Sequence, residues 1–101
     1  MSETLHFAVW ATDRPGTATE RARVRDAHRA RLREGAPGGL KVVLGGPTTD
    51  ESGAMNGSLL VVQASDISAV REFIAGDPYV VSGVYDTVEV RPWRWGLGRV
   101  A

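Results

Sequence analysis

The spacing of apolar residues along this chain switches between a repeat of two and a repeat of three to four. The order of those switches limits the fold more than any other feature. Leu5, Phe7, Val9 and Ala11 alternate with His6, Ala8 and Trp10, the repeat of a half-buried strand. Asp13-Arg14-Pro15-Gly16 carries turn chemistry and ends it. Thr17-Ala18-Thr19-Glu20 has the form of a capping box: Thr17 would accept from the backbone N–H three residues on, and Glu20 would reach back. The spacing predicts a helix from there to about Glu34, with Gly35 as its stop. Val24, Ala27 and Leu32 mark its inward stripe. His28 falls within that stripe, four residues from both Val24 and Leu32, and the arginines mostly cover the other faces.

Leu40 to Leu44 reads as a second strand ended by the turn residues Gly45-Gly46-Pro47, with a polar loop over 48–56. Residues 57–64 form a third strand, apolar on both faces and therefore central. Ser65 is placed to cap a short helix with Ile67, Val70, Phe73 and Ile74 inward and Gly76 closing it. Asp77-Pro78-Tyr79 opens one more turn, with Asp77 as a cap and proline at the first helical position. Val84 to Val90 alternates as a last strand, and Pro92, which cannot donate to a ladder, puts its end at a sheet edge.

The resulting order is βαββαβ in a single α+β domain over residues 1–101. One four-stranded antiparallel sheet with two helices on one face satisfies it, given right-handed crossovers. Two helices leave the other sheet face uncovered, and bare apolar residues there would make a large patch. A homodimer burying sheet face against sheet face is the expectation.

Composition removes several function classes. With no cysteine among 101 residues there is no disulfide scaffold, zinc–thiolate site or cysteine nucleophile. Residues 1–4 lack a basic n-region and no apolar run approaches about 18 residues, so neither a signal peptide nor a membrane span is expected. A cytoplasmic location fits both readings. The formal net charge is zero, but it is segregated. Residues 14–47 carry seven arginines and Lys41 against Glu20, Asp26 and Glu34. Residues 48–90 carry seven acids against Arg71 alone. A basic segment cancelled in this way does not suit nucleic acid. It reads first as a solvated helix face with surface ion pairs, and second as the edge of an anion-attracting pocket. Two histidines 22 residues apart, without an acidic cluster, give no metal-ligand spacing. Neither a phosphate-binding nor a dinucleotide-binding glycine pattern occurs, so no cofactor is expected. The central strand lacks the aromatics an RNA-recognition sheet needs.

Arg25-x-x-His28-x-x-x-Leu32, Gly45-Gly46-Pro47, Gly57-Ser58, Asp77-Pro78-Tyr79, Gly83-Val84-Tyr85 and Val88-x-Val90-x-Pro92-Trp93 together resemble the YciI-like (YCII-related) proteins over nearly the whole chain. The resemblance implies a ferredoxin-like fold of the dimeric α+β barrel type and a His–Asp pair in a pocket, carried here by His28 and Asp77. A chlorohydroxyhydroquinone dehydrochlorinase is one member type, and muconolactone isomerase-like proteins share the architecture. The chain departs from the family pattern in its long Arg-rich first helix and in Trp93-x-Trp95.

An imidazole ordinarily titrates near pH 6.5, with a pKa of about 6.5, and so can take and release a proton at neutral pH. It works best as a base when a carboxylate holds its other ring nitrogen. Asp77 could be that carboxylate if the turn after the second helix abuts the first. Such a dyad suits elimination of a halide, isomerisation or tautomerisation. The substrate-binding set expected around it is Trp10, Arg31, Gly46, Pro47, Tyr79, Ser82 and Tyr85. Gly45 and Gly46 allow close approach to the backbone, and the aromatics supply a wall. Against this, a lone histidine in a helix stripe is commonly a packed core residue, Asp77 is also a plain N-cap, and Trp93 and Trp95 suit dimer packing. Two readings stand side by side: a cofactor-independent lyase or isomerase acting on a small, aromatic or lactone molecule, and a non-catalytic dimeric domain that binds a small molecule.

Overall fold

Each of the four strands expected from the sequence forms, and all four join one antiparallel sheet. The computed structural model describes residues 5–98; the signal-peptide reading of residues 1–4 and the charge of Arg99 lie outside the described residues. The elements are β1 (Leu5–Asp13), α1 (Ala18–Glu34), β2 (Lys41–Thr49), β3 (Met55–Ala64), α2 (Ile67–Ala75), α3 (Pro78–Val81) and β4 (Tyr85–Trp93). The strand order is β2-β3-β1-β4, so β3 and β1 are central and β2 and β4 form the edges. This is the ferredoxin-like arrangement with one added helical turn, α3.

Register assigns the two sheet faces. Phe7 lies opposite Val62 and Pro92, and Val9 lies opposite Leu60 and Val90. Phe7, Val9, Leu60 and Val62 are all buried, and they form one cluster with Val70, Phe73 and Ile74 of α2. Leu32 of α1 packs against the same cluster, so both long helices cover this face. A smaller cluster of Ala11, Tyr79, Val84 and Tyr85 fills the α3 end. On the other face Trp10 lies opposite Leu59 and Glu89, and His6 lies opposite Gln63 and Trp93. There Trp10 is 51% exposed, Leu59 39% and Trp93 36%, so this face is apolar and uncovered in the single chain.

The structure corrects the boundaries of β2. Gly45-Gly46-Pro47 is no turn but lies inside the strand, which pairs on to Thr48 and Thr49; the connection to β3 is a short hairpin over 50–54. Pro47 is tolerated because β2 is an edge strand, where a missing N–H costs no ladder bond to a further strand. Gly45 is required by close approach, since a Cβ there would meet the Leu60 side chain and the Leu59 carbonyl.

Both predicted caps also change. The Thr17 hydroxyl makes no cap; it donates to the Arg14 carbonyl at 2.6 Å, and Glu20 pairs with Arg23 at 2.7 Å. Thr17 sits at φ −103° and ψ 14°, outside the extended backbone from which a capping hydroxyl reaches into the helix. The second helix starts one residue later than expected: Asp66, not Ser65, is its cap, accepting from the Ala69 N–H at 2.8 Å. Gly35 does stop α1, at φ +67°, where a Cβ would run into the Leu40 carbonyl.

Replacing Asp66 with alanine should therefore lower unfolding free energy by about 1 kcal/mol. Ser65→Ala should change it by less than about 0.5 kcal/mol. Urea denaturation of the two variants checks the assignment; the reverse ranking would return the cap to Ser65.

Candidate active site

Helix α1 is attached to the sheet mainly by polar side chains. Its buried residues are Arg21 and His28, while Ala27, expected inward, is exposed. The inward positions are Arg21, Val24, Arg25, His28, Arg31 and Leu32, a helical stripe in which three of six are arginines. Long polar side chains cannot fill the space against β2 and β3 as leucines would. A cavity of about 340 Å³ remains, within the size range of small-molecule sites. Arg21, Arg25, His28, Arg29, Leu32 and Arg33 of α1 line one side of it. Val42 and residues 44–47 of β2, Met55, Ser58 and Leu60 of β3, and Tyr79 of α3 line the rest.

Asp77 is fully buried, and its backbone precedes the proline that starts α3. Its Oδ1 accepts from the Tyr79 N–H at 2.8 Å, the cap expected from Asp-Pro. The same carboxylate meets His28 Nδ1 at 2.8 Å through Oδ1 and 2.9 Å through Oδ2. The cap and the dyad thus coexist on one carboxylate. An ionised carboxylate only accepts, so Nδ1 carries the hydrogen, and the neutral form of the ring presents a lone pair at Nε2. Among the described residues nothing bonds Nε2, and His28 lines the cavity. The Tyr79 ring stacks on the imidazole at 3.8 Å and 19°, which fixes the ring plane.

Arg21 holds this wall in place. Its Nε donates to Asp13 Oδ2 at 2.8 Å, Nη2 to the Gly57 carbonyl at 2.6 Å and to Ser58 Oγ at 3.0 Å, and Nη1 to Tyr79 Oη at 3.3 Å. Its guanidinium also lies 4.6 Å from the Tyr79 ring centre. The charge is 5% exposed, so its desolvation is offset only by this full set of partners. Ser58 Oγ also accepts from Tyr85 Oη at 2.7 Å. Burial raises the Tyr85 hydroxyl well above the usual tyrosine range, outweighing the Ser58 bond that pulls the other way.

The structure brings His28, Asp77, Tyr79, Gly46 and Pro47 to one place and leaves other expected site residues away from the cavity. Trp10 is on the opposite sheet face, set there by its register. Arg31 crosses to α2, donating to the Phe73 carbonyl at 2.9 Å with its guanidinium 4.7 Å from the Phe73 ring centre. Ser82 caps α3, donating to the Pro78 carbonyl at 2.6 Å. Tyr85 sits behind the wall and reaches the cavity only through Ser58. The reading that placed the arginines on the other helix faces missed Arg21, Arg25, Arg29 and Arg33. Their spacing of four, running beside His28 and Leu32, was the signal. Among the described residues no three histidine, aspartate or glutamate side chains converge as metal ligands. No helix among them is long and apolar enough to cross a membrane.

The sequence matches the YCII-related domain over residues 5–94. It is 32% identical over 95 residues to an uncharacterized protein of Haemophilus influenzae, covering 89% of this chain and 97% of that one. It is 30% identical over 94 residues to Protein YciI of Escherichia coli, covering 87% and 95%. In structure it is similar to the 5-chloro-2-hydroxyhydroquinone dehydrochlorinase of Burkholderia phenoliruptrix in complex with 2,5-dihydroxybenzoquinone. That match has a TM-score of 0.79 at 29% identity, over 91% of this chain and 96% of the other.

Because burial holds the Tyr85 hydroxyl protonated to higher pH in the folded chain than in the unfolded one, its contribution to stability is full below the ordinary tyrosine pKa of about 10 and is lost as pH rises above it. Tyr85→Phe should cost about 1 kcal/mol at neutral pH through the lost Ser58 bond, yet lose less than the native chain between about pH 9 and pH 11. Urea denaturation across that range reads both effects. An equal alkaline loss in the two proteins would detach the instability from Tyr85.

Proposed function

Since the chain belongs to the YCII-related family, we propose that it is a small cofactor-independent enzyme, a lyase or isomerase that moves a proton on a small organic molecule through His28 and Asp77, in the cytoplasm. The observation that carries the reading is the Asp77 carboxylate held 2.8 Å from Nδ1 of His28, a residue that lines the cavity. Nε2 takes a proton from a substrate C–H or O–H. Asp77 stabilises the imidazolium that forms and fixes its tautomer. In an isomerisation the same nitrogen returns the proton to another substrate atom. In an elimination the C–H electron pair becomes the new double bond and the leaving group departs with its own pair, as chloride would from a chlorinated ring. The dehydrochlorinase that resembles this chain over most of its length lends weight to that second course. Gly46 and Pro47 border the substrate on the β2 side, and Tyr79 backs the imidazole.

The native chain, incubated in deuterated water with a panel of hydroxyhydroquinones, chlorinated analogues and lactones, should catalyse chloride release or carbon-bound deuterium uptake on at least one of them. His28→Ala and Asp77→Asn should each slow that reaction about a hundredfold or more. Native activity that survives His28→Ala would remove the dyad from the mechanism. Ligand retention without turnover on any panel member would make the chain a binding domain instead.

The partner we propose is a second copy of the chain, seated sheet face to sheet face. Trp10, Leu59 and Trp93 supply an exposed apolar patch there that a partner would cover. Light scattering should give twice the chain mass at micromolar concentration, and Trp10→Glu should shift the protein to a monomer. A monomeric native chain would overturn the dimer.

A further inference from the structure

The charges around the cavity are one-sided. Arg21, Arg25, Arg29 and Arg33 line it together with His28, and among the described residues no aspartate or glutamate does. Arg21 is spent on Asp13, Gly57, Ser58 and Tyr79. The other three are not. Among the described residues Arg25, Arg29 and Arg33 make no salt bridge and no side-chain hydrogen bond, while Arg23, on the same helix but off the cavity, is paired with Glu20. Arg25 Nε is moreover buried without a partner. Like charges four residues apart on a helix destabilise it. Here three stand in succession along the cavity side with no acid between them, although Glu20, Asp26 and Glu34 lie on the same helix.

Two hydroxyls stand beside the arginines: Ser58 Oγ accepts from Arg21 at 3.0 Å and Tyr79 Oη accepts from it at 3.3 Å. A guanidinium has donors and no acceptor, so the arginines that line the cavity present a ligand with donors alone. Much of the rest of the lining is apolar, Leu32, Val42 and Leu60 among it.

We propose that the molecule bound in this cavity is a small organic carboxylate, its charged head held by Arg25, Arg29 and Arg33 and its apolar body lying on Leu32, Val42 and Leu60. Guanidinium groups bind carboxylates through paired, charge-assisted hydrogen bonds. The apolar floor favours an organic acid over a bare inorganic anion, and a cavity of about 340 Å³ suits a single ring with substituents. The inference rests on the proton-transfer reading for what happens next: a carboxylate anchored on the arginines puts the remainder of the molecule beside His28.

Calorimetric titration with 2-hydroxybenzoate and with 2-hydroxybenzamide tests it, since the two probes match in size and differ in charge. The native chain should bind the benzoate about tenfold or more tighter than the amide. In the R25Q/R29Q/R33Q protein the two should bind alike, and added salt should narrow the native difference. Arg23→Gln removes the same charge off the cavity and should keep the native preference. These residues make no internal bonds, so the triple variant should fold as the native chain does, which circular dichroism checks. Equal binding of the two probes by the native chain, binding of neither, a preference that survives in the triple variant, or its loss in Arg23→Gln would each overturn the proposal. Inorganic phosphate binding as tightly as the benzoate would also overturn it, by removing any role for the apolar floor. The readout is binding rather than turnover. Lost preference with proton transfer intact would therefore sink this inference and leave the dyad standing; a dead dyad with the preference intact would do the reverse.

Discussion

A single buried guanidinium decides how the two halves of this fold meet. Arg21 reaches from α1 to β1 through Asp13, to β3 through Gly57 and Ser58, and to α3 through Tyr79. A buried arginine in that position needs its carboxylate, and loss of Asp13 would leave an uncompensated charge costing about 3–5 kcal/mol. The arrangement is therefore closer to a jig than to glue. It fixes the height of α1 above the sheet, the position of Tyr79, and through Tyr79 the plane of the imidazole. The cavity follows from the same choice, because a helix held off the sheet by polar side chains does not collapse onto it.

The His28–Asp77 contact depends on this jig and on a second, local one. Asp77 is placed by the start of α3, where the proline that follows it has no N–H to satisfy and the Tyr79 N–H is satisfied by the carboxylate. One side chain so performs a folding task with one lone pair and orients His28 with the others. The two residues are 49 apart in sequence, and what joins them is the packing of α1 against α3.

Much of this was legible in the sequence. Alternation placed β1 and β4, and two-sided apolarity put β3 in the middle of the sheet, although in the single chain only one of its faces is covered and Leu59 on the other is exposed. Asp77-Pro78 announced its cap. The errors share a cause. Gly45-Gly46-Pro47 reads as a turn by composition, and only its position on an edge strand, a fact of topology, allows it to be strand. Ser65 and Asp66 are equally good caps on paper; a shift of one residue, set by where β3 releases the chain, chose between them. The arginines read as solvated because charge is normally solvated. A period of four running beside His28 was available as a warning, but the burial of Arg21 depends on acceptors brought from β1, β3 and α3, which no local pattern displays.

The two edge strands each carry one proline, Pro47 on β2 and Pro92 on β4. A strand interrupted in this way is a poor template for another strand, so the sheet resists lengthening sideways into a ribbon of molecules. Trp10, Leu59 and Trp93 belong to the broad face of the sheet, Trp93 from the edge strand β4. In the face-to-face dimer proposed above, association would close after one partner had been accepted, without the hazard of open-ended polymerisation.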